Sequence, residues 1–272
     1  MEKKDIAAFF DNCAPWWDAD MIRNEDIIKK ILDNAGIKAG VSVLDVACGT
    51  GVLFPDYLGR QVASLTGIDI SAEMVKVAQS KFPAVTVLCG DVEEAEFSEQ
   101  FDCIMVYNAF PHFPEPARLI EVLAGLVKPG GRLSIAHGMS RAQLQAHHAG
   151  RAARVSIDLI HEKELAALME PWFEVDTVIS DEKMYQVVGT RRAEKVEVQP
   201  RQAVTPLDEV LALMKFMVAH NDAHAQEMSA LADQLKDMGK IRAYEKIMDA
   251  VTDFDMVNAK FDAILKELSV EE

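Results

Sequence analysis

The sequence predicts an α/β domain on a mostly parallel, doubly wound sheet, followed by a small all-α domain. Three observations predict it. Between residues 41 and 190, short apolar runs alternate with helical stretches, the pattern of crossover-linked parallel strands covered on both faces. The first run, Val43-Leu44-Asp45-Val46-Ala47, passes into Cys48-Gly49-Thr50-Gly51, a strand entering a turn whose glycines let backbone approach a ligand. Beyond residue 205 strand signals stop, and Ala, Leu, Met, Lys and Glu dominate.

Taken in order, the strands are expected at Val41–Val46, Leu65–Ile70, Val85–Cys89, Phe101–Tyr107 and Arg132–Ala136, the last preceded by the turn Lys128-Pro129-Gly130-Gly131. Val175–Ile179 and Tyr185–Thr190 add a hairpin at the sheet edge, for seven strands in all. Helices are expected at Gly51–Leu58, Ala72–Lys81, Ala117–Val127 and Glu162–Glu170. Thr205 and Pro206 suit the cap and first turn of a long helix. Gly239 stops that helix, and Tyr244–Leu268 forms a second. The expected domains are 1–192 and 206–272, joined by a polar linker over 193–205. Residues 1–40 form an N-terminal helical segment whose aromatic-rich stretch, Phe9 to Asp18, either staples the first helix down or serves as a lid.

Half of the 272 residues are apolar, which suffices for a sizeable core. No apolar run approaches the roughly 18 residues of a membrane helix, and the opening Met1-Glu2-Lys3-Lys4-Asp5 lacks the apolar stretch of a signal peptide. The expected location is the cytoplasm. The net charge of −16 repels phosphate backbones, so a nucleic-acid partner is not expected, although Arg151, Arg154, Arg191 and Arg192 could form a local basic patch. Cys13, Cys48, Cys89 and Cys103 form no C-x-x-C pair and read as buried reduced thiols.

The segment Asp45-Val46-Ala47-Cys48-Gly49-Thr50-Gly51 resembles the S-adenosylmethionine (SAM) loop of the class I SAM-dependent methyltransferases, a Rossmann-like fold. The resemblance covers roughly residues 5 to 190, and it is similar in detail to the small-molecule ubiquinone and menaquinone C-methyltransferases. It implies SAM as methyl donor, S-adenosylhomocysteine as product and a small-molecule acceptor. It implies that Asp45, Ala47, Gly49 and Gly51 surround the methionine part of SAM and that Asp69 accepts from the ribose hydroxyls. Ile70 would lie on the adenine, Asp91 and the Val92 backbone would bind its edge, and Asn108 would hold the methionine carboxylate or the substrate. Ala47 stands where the family most often has glycine. The opening Phe-Phe-Asp, Ala-Pro and Trp-Asp pieces resemble the family's N-terminal lid.

Methyl transfer needs alignment above all. An acceptor that carries a proton also needs a base, for which histidine is suited near neutral pH. His112 and His137 follow the fourth and fifth strands and are the candidate catalytic residues; Trp17, Arg141 and His147 are candidates to meet the substrate. The alternative for His112 is a cap on the helix after Pro116.

In the last domain, His220 and His224 stand at i and i+4, a spacing used by helical zinc ligands. Projected at 100° per residue, Val210, Met214, Met217, Met228, Leu231 and Leu235 form an apolar stripe with Asn221 near its middle. A polar group there needs a partner, so a structural hydrogen-bond network competes with a metal site; methyl transfer itself requires no metal. This domain resembles a small uncharacterised helical domain appended to methyltransferases, which assigns it no function. A homodimer through it is possible. The alternative to an enzyme is a non-catalytic SAM- or metal-sensing protein that uses the helical domain.

Overall fold

The computed structural model describes residues 2–19, 23–148, 155–195 and 206–268, leaving out some side chains of the helices that begin at Arg141 and Pro206. The chain divides into two compact units, Met1–Val198 and Gln199–Glu272. The expected linker over 193–205 lies mostly outside the described residues.

The first unit holds a seven-stranded sheet: β1 (Ser42–Val46), β2 (Ser64–Asp69), β3 (Thr86–Cys89), β4 (Phe101–Tyr107), β5 (Val127–His137), β6 (Phe173–Ser180) and β7 (Tyr185–Arg191). Their order is β3-β2-β1-β4-β5-β7-β6. The first five pair in parallel, and β7 runs antiparallel to both β5 and β6. The chain order reverses between β1 and β4, so the crevice beyond their carboxyl ends is the place for a ligand in such a sheet.

The helices are α1 (Lys3–Cys13), α2 (Glu25–Asn34), α3 (Phe54–Gly59), α4 (Ala72–Lys81), α5 (Pro116–Leu126), α6 (Arg141–His148) and α7 (Glu162–Met169). Asn24 caps α2 through Ile27 N, and Ser71 caps α4 through Met74 N. β1 is buried along its whole length, as a central parallel strand covered on both faces should be. Alternate residues serve two cores. Leu44, Val46, Ile104, Val106, Leu133 and Ile135 pack toward α5 and α7, while Val43, Cys103, Met105 and Ala136 pack toward α2 and α4.

Three local expectations are corrected. The helix after the glycine turn begins at Phe54 rather than Gly51, because Gly51 sits at φ +81° and cannot belong to a right-handed helix. Lys128–Gly131 is a bulge inside β5 rather than a turn before it: Phe101 pairs with Val127, and Cys103 with Arg132. Only Cys48 and Cys103 are buried; Cys13 is half-buried and Cys89 exposed. Burial pushes the Cys103 thiol up to about 11, as a buried structural cysteine requires.

The second unit contains α8 (Pro206–Asp237) and α9 (Ile241–Leu268). Gly239, at φ +73°, turns the chain between them, and α9 starts three residues earlier than expected. Asn221 Nδ2 donates to Asn258 Oδ1 at 2.9 Å, and Asn258 Nδ2 donates to the Val218 carbonyl at 3.2 Å. This is the hydrogen-bond network expected for Asn221. The stripe around it needs correction, since Val210 and Leu231 are 49 % and 51 % exposed. Among the described side chains of this helix, Ala225 and Ala232 are buried instead. No described helix is long and apolar enough to cross a membrane.

Candidate cofactor and substrate site

The loop after β1 is shaped by backbone that side chains resist. Ala47, Gly49 and Gly51 all have positive φ, at +55°, +54° and +81°. The left-handed region costs an L-residue about 1–2 kcal/mol, so Ala47 carries strain that glycine would not. At Gly51 a Cβ would also lie 2.7 Å from the Phe54 ring and 3.0 Å from the Phe82 ring, so packing and backbone both demand glycine. At Gly49 the nearest atom to such a Cβ is Trp17 Nε1, at 4.0 Å. There the glycine leaves room, which is what a ligand needs.

Two carboxylates flank this loop. Asp69, at the end of β2, accepts from Gly49 N and Ser71 N, each at 2.8 Å. Burial raises its carboxyl above the usual carboxylate range, and those two bonds only partly offset the rise. Asp45 is 2 % exposed. Burial and then the charge of Asp69 push its carboxyl well above the usual range. The buried Tyr57 hydroxyl lies close enough to favour the ionised form, yet Asp45 Oδ2 has no partner in hydrogen-bond geometry among the described residues. A buried carboxylate in that state is costly unless a ligand supplies donors or positive charge.

The N-terminal segment lies over the ends of these strands. Lys3 Nζ pairs with Asp91 and Glu93. Burial disfavours the ammonium, but both hydrogen bonds outweigh it and hold Lys3 above its ordinary range. Asp11 Oδ1 accepts from Ser71 Oγ at 2.6 Å and Glu73 N at 3.0 Å. Asp18 accepts from Thr50 Oγ1 and Lys81 Nζ, both at 2.6 Å. Segment and sheet are thus joined at three places, each next to a residue expected to meet SAM. Lys3, Tyr57 and Glu93 are not singled out by sequence pattern, whereas Asp11 and Asp18 fall in the aromatic run and Thr50 in the glycine loop.

Of the other expected residues, Ile70 is half-buried and Val92 buried. Asn108 takes φ +55°, and its Oδ1 accepts from Gly138 N at 2.9 Å, so it ties the ends of β4 and β5 together. His112 lies in a short 3₁₀ turn, Phe110–His112. It does not cap α5, whose cap residue is Glu115. Its Nδ1 is 2.8 Å from the Val155 carbonyl and 3.2 Å from Ser156 Oγ, and its ring meets Phe10 edge-on at 4.9 Å. Phe10 in turn meets Trp17 at 5.6 Å, so the expected base and one expected substrate residue share an aromatic cluster. His137 is elsewhere: it is fully buried, edge-on to Tyr185 at 6.0 Å, and exposes no surface to a substrate. Arg141 is half-buried at the start of α6. The side chains of His147, His220 and His224 lie outside the described residues, as do Arg151 and Arg154. No group of three potential metal ligands occurs among the described residues. Arg191 donates to the carbonyls of Ala124 and Trp172, so it serves the fold rather than a basic patch.

Residues 43–131 match the methyltransferase domain family, and residues 210–268 match a domain of unknown function, DUF8180. The chain is 31 % identical over 143 residues to the ubiquinone biosynthesis O-methyltransferase of Coxiella burnetii, covering 49 % of this chain and 61 % of that protein. The enzyme of the same name from Xanthomonas oryzae pv. oryzae is 35 % identical over 133 residues, covering 43 % and 54 %. The chain thus spans 61 % or less of the length of these curated relatives. Two solved structures share the fold. N-methyltransferase NodS from Bradyrhizobium japonicum, in complex with S-adenosyl-L-homocysteine, aligns with a TM-score of 0.53 at 14 % identity over 70 % of this chain and 97 % of that one. A SAM-dependent methyltransferase from Aquifex aeolicus aligns at 0.51 with 21 % identity over 70 % and 99 %.

Proposed function

Since residues 43–131 match the methyltransferase domain family, we propose that the chain is a class I SAM-dependent methyltransferase and that it transfers a methyl group from SAM to a hydroxyl of a small, flat acceptor. The observation that carries the reading is the pair Asp45 and Asp69: buried, raised toward the neutral form and set against a positive-φ glycine loop. A ligand that brings a positive charge and two hydroxyl donors answers both carboxylates, and SAM has both features. Asp45 would take the ammonium side, and Asp69, an acceptor-only group with lone pairs to spare, the ribose hydroxyls. Gly49 leaves the backbone open beside them.

Bound SAM supplies an electrophilic methyl on sulfur. The chain's own residues do the rest. The Val155 carbonyl only accepts, so His112 carries its hydrogen on Nδ1 and keeps Nε2 as the basic nitrogen. Nε2 would take the proton that the acceptor's hydroxyl gives up, a role worth roughly a hundredfold or more. Phe10 and Trp17 supply flat apolar walls. An oxygen acceptor agrees with the curated relatives' names. His137 is assigned to packing behind the site. Because the N-terminal segment is latched over the strand ends, it must loosen to admit SAM.

Isothermal titration of SAM into the wild type and Asp69→Ala tests the cofactor site. The wild type binds, and the variant loses at least about tenfold in affinity. Absence of wild-type binding, or equal affinity, sinks the assignment. Release of S-adenosylhomocysteine over a panel of phenols and amines then tests the acceptor. Turnover of amines alone rejects the hydroxyl, and binding without any turnover favours a sensor.

A further inference from the structure

We propose that the second unit pairs with a second copy of itself, through the flank of the α8–α9 hairpin that carries Val257 and Ile264. The inference rests on the helical unit alone and is independent of the methyl-transfer reading.

The Asn221–Asn258 pair fixes the register of the antiparallel helices. Counting outward from it sets Ala225 opposite Phe254 and Ala232 opposite Ile247, small against large. The seam on α8 then runs through Met214, Val218, Asn221, Ala225, Met228, Ala232 and Leu235. On α9 it runs through Tyr244, Ile247, Val251, Phe254, Asn258, Phe261 and Leu265. Both alternate steps of three and four, which defines heptad positions a and d. Burial agrees, with Ala232 at 0 %, Ala225 at 5 %, and Val251 and Asn258 at 7 % exposure. At the turn, Lys236 lies over the Tyr244 ring at 4.8 Å, as this register requires.

The two flanks of the seam differ. In an antiparallel pair, g positions of both helices fall on one side and e positions on the other. The e series of α8 is polar: Asp208, Lys215, Asp222, Ser229 and Lys236. The g series is apolar on α9, where it runs Ala243, Ala250, Val257 and Ile264, and is interrupted on α8 by His224. On α8 it includes Val210, Leu231 and Met238, exposed by 49 %, 51 % and 69 %; on α9 it includes Val257 and Ile264, exposed by 41 % and 43 %. Ile241 and Met256, at e and f, are isolated and need no partner. On α9 the g flank is a continuous apolar row, and a two-helix hairpin cannot cover it.

Charge identifies the occupant. Beside the g series on α9, at the c positions, stand Lys246, Asp253, Lys260 and Glu267, all exposed. The order + − + − reads − + − + in reverse, so α9 is complementary to an antiparallel copy of itself, as a two-fold interface demands. Setting Asp253 opposite Lys260 of the second copy also sets Lys246 opposite Glu267. Within one residue, the same register brings Val257 against Val257 of the second copy, and Ile264 against Ala250. Apolar and charged rows are satisfied by one alignment, and the product is a four-helix bundle.

Sedimentation equilibrium on the full chain tests this. The wild type is expected to dimerise. Val257→Glu/Ile264→Glu, both at exposed positions, should weaken the dimer at least about tenfold while circular dichroism stays unchanged. Asp253→Lys should weaken it severalfold, and adding Lys260→Asp should restore it by rebuilding the pair with reversed sign. A monomeric wild type at tens of micromolar overturns the proposal and assigns the flank to another occupant. A dimer indifferent to these substitutions also overturns it.

Discussion

Aspartates on the two sides of the crevice are treated in opposite ways. Asp11 and Asp18, on the N-terminal segment, have hydrogen-bond donors in place. For Asp11 the Ser71 hydroxyl and Glu73 N–H hold the carboxyl below its usual range. For Asp18 partial burial opposes the charge, but Lys81 and Thr50 outweigh it. Asp45 and Asp69, on the sheet side, are buried more deeply and served less well, and both are raised. The first pair closes a surface. The second carries unfavourable charge that the proposed cofactor site would put to use, as functional sites often do at the expense of stability.

The largest effect that can break this contrast is expected from Asp45→Asn. The variant keeps the shape and removes a charge that nothing in the described structure neutralises. SAM affinity should fall by at least about tenfold, while the ligand-free protein becomes more stable by about 1 kcal/mol. Calorimetry and thermal melting read both. If the variant is less stable and still binds, Asp45 is a structural acid and the contrast is false.

The pH dependence has opposite signs on the two sides. Asp45 and Asp69 bind protons more tightly folded than unfolded, so their effect is to lower ligand-free stability as pH rises from the usual carboxylate range through their raised values. SAM answers the ionised forms, so the shift in melting temperature that it causes should grow over that same window. The lowered Asp11 and Asp18 stabilise the closed segment above the usual range and release it as pH falls through their own values. Hydrogen-exchange protection over residues 3–19, taken relative to the intrinsic rate at each pH, should therefore fall on acidification before that of the sheet. Simultaneous loss of both would show that segment and sheet are one cooperative unit.

A smaller effect is expected at the latches. Lys3→Ala removes the partly exposed Lys3 from Asp91 and Glu93 while Arg118 stays 3.3 Å from Glu93, so the loss should be about 1 kcal/mol. Proteolysis within α1 should become faster, and SAM should associate and dissociate faster with affinity changed only severalfold. An unaltered cleavage rate would mean that Asp11 and Asp18 hold the segment alone.

The cofactor side is legible in sequence because each of its residues ends a strand, and strand ends are marked by acids and glycines in series. The cover is not. Lys3 meets a residue 88 positions away and Asp11 one 60 positions away, and no local period encodes such pairs. The aromatic run Phe9 to Trp17 leaves a staple and a lid equally open, and its partners show that it is anchored over the crevice. His137 follows its strand as His112 does, yet its ring falls inside the sheet's cover against Tyr185. In α8 the polar partner of Asn221 is foreseeable, whereas the face is misplaced. A projection at 100° per residue drifts by about 20° per heptad against a paired helix that repeats every seven residues. Val210 and Leu231, three heptads apart, hold the same flank position in the paired helix, although the projection sets them about 60° apart.

Ala47 offers the smallest and most direct test of strain. Its family position favours glycine, and its φ of +55° explains why. Ala47→Gly removes a steric cost of about 1–2 kcal/mol but adds the chain entropy that glycine loses on folding, about 0.5–1 kcal/mol. The two nearly cancel, and the net should be a stabilisation of several tenths to about 1 kcal/mol. SAM affinity should change little, because the backbone already holds the glycine-like shape. Denaturant unfolding measures the difference. A clear destabilisation would mean that the Ala47 methyl, half-buried against the main core, contributes more by packing than its backbone loses. The loop would then be tuned to alanine rather than tolerating it.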